Sequence, residues 1–210
     1  KGLSFYIKPT GFKHTGLFPE QAANWSWMMD KISKANRPIK VLNLFAYTGG
    51  ATCAASYAGA EEVCHVDASK GMVAWAKENA ELSGLSNNKI RYIVDDCFKF
   101  VQREIRRGNK YDAVIMDPPS YGRGPNGEIW KFEEELTKLL KLTSEVLSDE
   151  PLFLLLNSYT TGLSPTAIEN MLKLIIVKDK QGSVSSGEIG LPVKREDLIL
   201  PCGIYGRWEK

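Results

Sequence analysis

Ile39-Lys40-Val41-Leu42-Asn43-Leu44-Phe45, followed at once by Ala46-Tyr47-Thr48-Gly49-Gly50, decides the fold. The first seven residues are a short apolar run of the kind that forms a strand buried on both faces. The next five are a turn, and Gly50 to Tyr57 is a small-residue helix that stops before Gly59. The same rhythm repeats downstream. Runs at 62–67, 90–95, 111–117 and 151–158 each read as a buried strand bounded by charge, Gly or Pro. Helical patterns fill the gaps. Lys70 to Leu82 follows the N-cap candidate Ser69; Phe98, Val101 and Ile105 make a second apolar face; Leu136, Leu139, Leu140 and Val146 make a third. A last helix starts at Ser164-Pro165 and carries Ile168, Met171, Leu172 and Ile175 at helical spacing. Strand alternating with helix five times over predicts a doubly wound, mostly parallel α/β sheet covered on both faces. Residues 183–191 and 198–208 break the rhythm and predict an antiparallel C-terminal hairpin at the sheet edge, giving seven strands.

Residues 1–38 precede the first strand and read as a flank or lid with a helix from Pro19 to Ser33, leaving 39–210 as the ligand-binding domain. The chain has 210 residues, 43% hydrophobic and 25% charged, the balance of an ordinary globular protein. No apolar run approaches the ~18 residues of a membrane span. The chain begins at Lys1, not Met, so an upstream segment is expected. With 27 basic and 25 acidic side chains the net charge is +2, which neither demands nor excludes a nucleic-acid partner. Cys53, Cys64, Cys97 and Cys202 form no paired motif and are expected to be reduced in a cytoplasmic protein. His14 and His65 are the two histidines, and no metal site is expected. Asn24-Trp25-Ser26 matches a glycosylation tripeptide that is common by chance.

In an open parallel sheet, ligands bind outside the carboxyl ends of the strands. A dinucleotide loop needs Gly where this chain has Phe45 and Tyr47, which disfavours NAD or FAD. A ligand without phosphates, such as S-adenosylmethionine, needs no such close backbone approach. Asp67 ends the second strand and can accept hydrogen bonds from ribose hydroxyls. One of Asp95 and Asp96 can accept from an adenine amino group while the other caps the next helix; Asp96 is favoured for the adenine. Asp117-Pro118-Pro119-Ser120 ends the fourth strand. Two prolines fix φ and remove two N–H donors, leaving a stiff rim of acceptors where a substrate N–H could be held. Tyr121 adds a flat face for a ring.

These residues resemble class I, Rossmann-like S-adenosylmethionine-dependent methyltransferases. Gly16-Leu17-Phe18-Pro19-Glu20-Gln21, Leu42 to Gly50, Val66-Asp67-Ala68-Ser69 and Asp117 to Gly124 are similar to the bacterial large-subunit (23S) ribosomal RNA methyltransferases that modify cytosine C5 or guanine N7. The resemblance covers 12–208 and implies a methyltransferase with S-adenosylmethionine as cofactor. It implies cofactor contacts from Phe18, Gln21, Asn43, Phe45, Tyr47, Thr48, Gly49, Asp67, Ala68, Ser69, Asp96, Cys97 and Asp117, with Phe18 to Gln21 folding over the methionine end. The acceptor would sit beside Asp117, Pro118, Ser120 and Tyr121, with Tyr121 and Arg123 on the substrate. Cytosine-C5 enzymes of the group carry a nucleophilic Cys after the fifth strand; Asn157-Ser158-Tyr159-Thr160-Thr161 has none, so transfer to nitrogen without a covalent adduct is expected. RNA enzymes of the group usually carry an added RNA-binding domain upstream.

RNA, in particular ribosomal RNA, is the favoured acceptor; a protein or a small molecule is the alternative. A non-catalytic module would be expected to lose a carboxylate such as Asp67 or Asp117, and both are present. Cations that could meet phosphates are Arg103, Arg106, Arg107 and Lys110 at one helix end, Lys8, Lys13 and His14 near the start, and Arg123.

Overall fold

The computed structural model describes residues 2–9, 15–124 and 127–210; Lys13 and His14 lie outside the described residues. Seven strands form one sheet in the order β3-β2-β1-β4-β7-β9-β8. They are β1 (Lys40–Leu44), β2 (Glu62–Asp67), β3 (Ile90–Val94), β4 (Ala113–Met116), β7 (Phe153–Ser158), β8 (Ser183–Pro192) and β9 (Ile199–Glu209). The first five are parallel, with Leu42 level with Cys64 and Val114, and Ile115 level with Leu155. β9 lies antiparallel on β7 and pairs with β8, which forms the edge. The predicted seven-stranded sheet and its antiparallel C-terminal hairpin are both present.

Period-two alternation sorts the strand side chains between two cores. Val41, Val63, Ile115 and Leu155 face α1 (Ala22–Lys34) and α2 (Gly50–Tyr57), where Met28, Ile32 and Ala54 meet them. Leu42, Cys64, Met116 and Leu156 face the other way, onto α4 (Cys97–Arg107), α5 (Phe132–Val146) and α6 (Pro165–Leu172), through Phe100, Leu139 and Ile168. α3 (Lys70–Leu82) closes the first layer beside α2. The helix expected from Pro19 begins as a 3-10 turn, Pro19–Gln21, because the proline opens it, and α1 continues from Ala22. Met28 and Ile32 are fully sunk in the core, so α1 is an integral layer of the fold.

Two local features differ from the sequence reading. Asp95 was expected to cap α4; the N-cap is Asp96, whose Oδ1 accepts from the Lys99 amide at 2.9 Å, while Asp95 pairs with Arg103. The stretch after the Asp117–Ser120 rim was read only for Tyr121 and Arg123 as substrate contacts; it folds into a separate two-stranded hairpin, β5 (Tyr121–Arg123) with β6 (Ile129–Lys131). Three-residue strands carry too little periodicity to be seen in advance.

Candidate functional site

The carboxyl ends of β1, β2 and β4 open on a cavity of about 620 Å³, within the size range of small-ligand sites. Its floor is the turn after β1. Phe45 and Tyr47 both have left-handed backbone, with φ of 53° and 50°, and Gly49 follows at 84°. This is the conformation glycines supply in a dinucleotide loop, here adopted by two aromatic residues at a cost of about 1–3 kcal/mol each. Neighbouring elements hold the turn. The Phe45 amide donates to Cys97 Sγ, that of Ala46 to the Val66 carbonyl at 3.1 Å, and that of Tyr47 to Asp67 Oδ2 at 2.8 Å. The Gly49 amide turns back onto the Ala46 carbonyl. These four amides are therefore committed to the fold and cannot cradle a pyrophosphate. Gly49 itself is required twice over, by its φ and because a Cβ there would stand 2.8 Å from that of Ala76.

Asp67 faces the cavity from the end of β2 with both oxygens already held: Oδ2 by Tyr47 and Oδ1 by the Ser69 amide at 2.9 Å. Burial raises its carboxyl above the ordinary value and the two amides oppose that rise. Ala68, Ser69, Asp96 and Cys97 continue this wall. Ser69 caps α3, accepting from the Met72 amide. Cys97 is buried, and burial holds its thiol well above the ordinary value, so it is a packed thiol and not a thiolate.

Asp117 forms the opposite wall with Pro118, Pro119 and Ser120. No donor among the described residues engages its carboxylate. Burial pushes its carboxyl up to about 7, and the nearby Glu20 carboxylate adds to the rise. The hairpin β5–β6 backs this wall. Trp130 is buried, donates its indole N–H to the Pro119 carbonyl at 2.6 Å and packs on Phe45 with ring centroids 5.0 Å apart. Ser120 Oγ lies 2.9 Å from Thr160 Oγ1.

The third wall comes from the N-terminal segment. Phe18 stacks between Tyr47 and Tyr159, with centroids 5.6 and 5.5 Å away. The Tyr159 hydroxyl accepts from Gln21 Nε2 at 2.8 Å and donates to Glu20 Oε1 at 3.0 Å. Asn24 Nδ2 in turn donates to Gln21 Oε1 and Asn157 Oδ1, and its own Oδ1 accepts from Arg207. Asn24 is completely buried, so the tripeptide it begins is closed to glycosylation in the folded chain.

Of the residues singled out in advance, Phe18, Phe45, Tyr47, Asp67, Ala68, Ser69, Asp96, Cys97, Asp117, Pro118, Ser120 and Arg123 line the cavity. Gln21, Asn43 and Thr48 line a smaller recess of about 50 Å³ beside it. Asn43 is committed to Thr52, and Thr48 donates to the Gly16 carbonyl. Gly49 serves the turn from behind. Tyr121 does not line the cavity. The register that sets Gly122 opposite Trp130 turns Tyr121 to the other face of the hairpin, where it is 54% exposed beside Lys131. The basic cluster also fails as a track beside the acceptor rim. α4 runs from the carboxyl end of β3 back toward the start of β4, so Arg106, Arg107 and Lys110 lie toward the amino ends of the strands, away from the cavity. Arg103 is paired with Asp95, Arg107 with Glu104, and Lys110 with the Glu145 carbonyl. Lys8, from the opening segment, is paired with Glu78. Glu20, Asn24, Trp130 and Tyr159 were missed. Glu20, Gln21 and Asn24 share the helical face that carries Met28, and polar residues on a core-facing stripe were the available signal. Trp130 had no such signal.

Comparison with known proteins agrees with this geometry. The family model for S-adenosylmethionine-dependent methyltransferases matches residues 1–171. A ribosomal RNA large subunit methyltransferase K/L of Shewanella frigidimarina is 34% identical over 148 residues, which is 70% of this chain and 20% of that protein. The enzyme of the same name from Shewanella sp. (strain MR-4) is 33% identical over 149 residues with the same coverage. The chain thus spans about a fifth of the curated relatives it matches. A crystal structure of a SAM-dependent methyltransferase from Agrobacterium tumefaciens superposes with a TM-score of 0.94 at 41% identity, over 99% of this chain and 67% of that one. A cavity of this size, with a carboxylate at the end of β2, a phosphate-averse turn beneath it and an open carboxylate across from it, fits the cofactor of that family. The chain belongs to the S-adenosylmethionine-dependent methyltransferases.

Proposed function

We propose that this chain methylates a nitrogen of RNA, in particular large-subunit ribosomal RNA, by direct transfer at the Asp117-Pro118-Pro119-Ser120 rim. The observation that carries the reading is the Asp117 carboxylate, which faces the cavity with no donor among the described residues. A half-buried acceptor left unmatched by the fold is available to a ligand, and a substrate N–H or a protonated ring is the complementary group. Bound S-adenosylmethionine supplies a methyl on a sulfonium, so the leaving group departs neutral and needs no acid. The chain then contributes mainly by positioning. Asp67 holds the ribose hydroxyls with its remaining lone pairs, and Asp96 the adenine amino group. Phe45, Tyr47, Ala68, Ser69 and Cys97 pack along the nucleoside. Phe18 and Gln21, on the segment ahead of α1, cover the methionine end. Arg123 meets RNA at the mouth of the cavity and Tyr121 on the outer side of the hairpin. A ribosomal acceptor places the reaction in the cytoplasm.

RNA is supported by the two Shewanella relatives, which are named for ribosomal RNA, and by the exposed Arg123 beside the acceptor wall. The test is transfer of a tritiated methyl group to total RNA, total protein and small-molecule extract in parallel. Label in the RNA fraction alone is expected; label confined to protein or small molecules refutes an RNA acceptor. The absence of an adduct is tested separately. Cys97 is a buried thiol and Ser158 and Tyr159 occupy the stretch after β7. RNA carrying 5-fluorocytosine should not be trapped on this protein in a denaturing gel; a trapped band would mean a thiolate attacks after all.

A further inference from the structure

The acceptor loop after β4 contains two prolines and so has no amide at 118 or 119 with which to fasten itself. It is fastened by its carbonyls instead. The Pro119 carbonyl accepts from Trp130 Nε1 at 2.6 Å and the Ser120 carbonyl from the Phe132 amide at 3.1 Å. Among the described residues no donor reaches the Pro118 carbonyl. The consecutive carbonyls are thus divided: two are held by the β6–α5 junction and the first is held by no donor among the described residues, in a residue that lines the cavity beside Asp117. Trp130 is itself immobilised. It is buried, packs on Phe45 and lies opposite Gly122, where a Cβ would come within 3.3 Å of the Pro119 ring. Its hairpin is pinned to the first turn of α4 by Lys99 and Glu128, 2.5 Å apart.

We propose that Trp130 is a positioning residue for methyl transfer: its indole N–H holds the Pro119 carbonyl outward, leaving Asp117 and the Pro118 carbonyl as the acceptors presented to the substrate. This rests on the acceptor site of the preceding section and adds a residue of the same cavity lining to which that section gave no role. Trp130 acts through the loop and does not itself bond the reacting nitrogen. The predicted signature is a loss in turnover with cofactor affinity retained, because Asp67 and Asp96 sit on the far wall.

The decisive variant replaces Trp130 with benzothienylalanine, which keeps the ring system and its packing on Phe45 but puts sulfur in place of N–H. One neutral hydrogen bond corresponds to a fivefold to tenfold effect, about. Turnover on an unmodified large-subunit ribosomal RNA transcript should fall by that factor, with S-adenosylmethionine affinity within twofold of wild type and a melting temperature lowered by only about 2–4 °C. Full turnover by this isostere overturns the proposal. So does a loss of cofactor affinity equal to the loss of turnover, which would make Trp130 part of the cofactor wall. A second readout needs no substrate: the Trp130 indole proton, assigned by NMR in the intact chain, should exchange slowly with solvent, and fast exchange refutes the bond. If wild type leaves the transcript unlabelled, the RNA reading fails while the indole proton still decides the anchor.

Discussion

Two carboxylates face each other across the cavity, and the fold treats them oppositely. Asp67 receives two backbone amides, one from the turn after β1 and one from the start of α3. Asp117 receives none from the described residues, and Glu20 lies close enough to disfavour its charge further. Asp67 is therefore finished before any ligand arrives, its orientation fixed by the strained turn it helps to hold. Asp117 is unfinished, and its environment becomes favourable only when something donates to it. Cofactor sites reward the first design, since a rigid host loses little freedom on binding. Transfer sites reward the second, since an interaction completed only with the acceptor in place contributes to turnover.

The widest separation between the two should come from Asp117→Ala. Turnover should fall at least a hundredfold, about the range for lost positioning, with S-adenosylmethionine affinity within about threefold of wild type by calorimetry. Equal losses in both would make Asp117 a cofactor residue and erase the contrast. Asp67→Ala should do the reverse. Losing charge-assisted hydrogen bonds of about 1.5–3 kcal/mol each weakens cofactor binding at least tenfold, while turnover at saturating cofactor changes little. Calorimetry showing wild-type affinity would remove the ribose assignment.

Acidity sharpens the contrast at a smaller scale. The Asp117 carboxyl titrates at about 7 in the folded chain and near 3.9 when unfolded. Between those values the native state holds a proton that the unfolded state releases, so stability falls as pH rises through that window. Asp117→Asn should match wild type in urea unfolding at pH 4 and exceed it by about 1–3 kcal/mol at pH 8. Coinciding curves at pH 8 would mean Asp117 is solvated. Turnover should rise with pH through about 7 in wild type, since the ionised form is the acceptor. His65 has the opposite sign. Burial pushes it down to about 3, and its stabilisation is lost as pH drops below its unfolded value near 6.5. The smallest effect belongs to Arg123, at the mouth of the cavity. Arg123→Ala should lower the slope of log affinity for RNA against log salt by about one unit, leaving cofactor affinity intact. An unchanged slope would take Arg123 off the phosphate path.

The sheet was legible because buried strands and amphipathic helices repeat their periods for long stretches. The cavity wall was legible because it consists of strand ends: Asp67 closes β2 whatever the loops do. What escaped reading depends on pairings between distant segments. Whether Asp95 or Asp96 caps α4 is decided by Arg103, one α-helical stretch later. The direction of Tyr121 is decided by the register of a three-residue hairpin. Trp130 and Tyr159 matter only because the Pro119 carbonyl and Gln21 come to them in space. The basic residues near 103–110 looked like one patch in sequence, yet Arg103 and Arg107 pair with Asp95 and Glu104, and Lys110 with the Glu145 carbonyl.

The turn at Phe45 and Tyr47 bears on how the molecule assembles. Its left-handed residues are tolerable only once β2 supplies Val66 and Asp67 and α4 supplies Cys97. Those contacts close loops of 20 to 52 residues, so this turn cannot form as a local event, unlike a helix or a hairpin. It must lock late, after the central strands have come together. A chain caught partway through folding would then have much of its sheet and no floor to its cavity, and would be unable to recognise its cofactor.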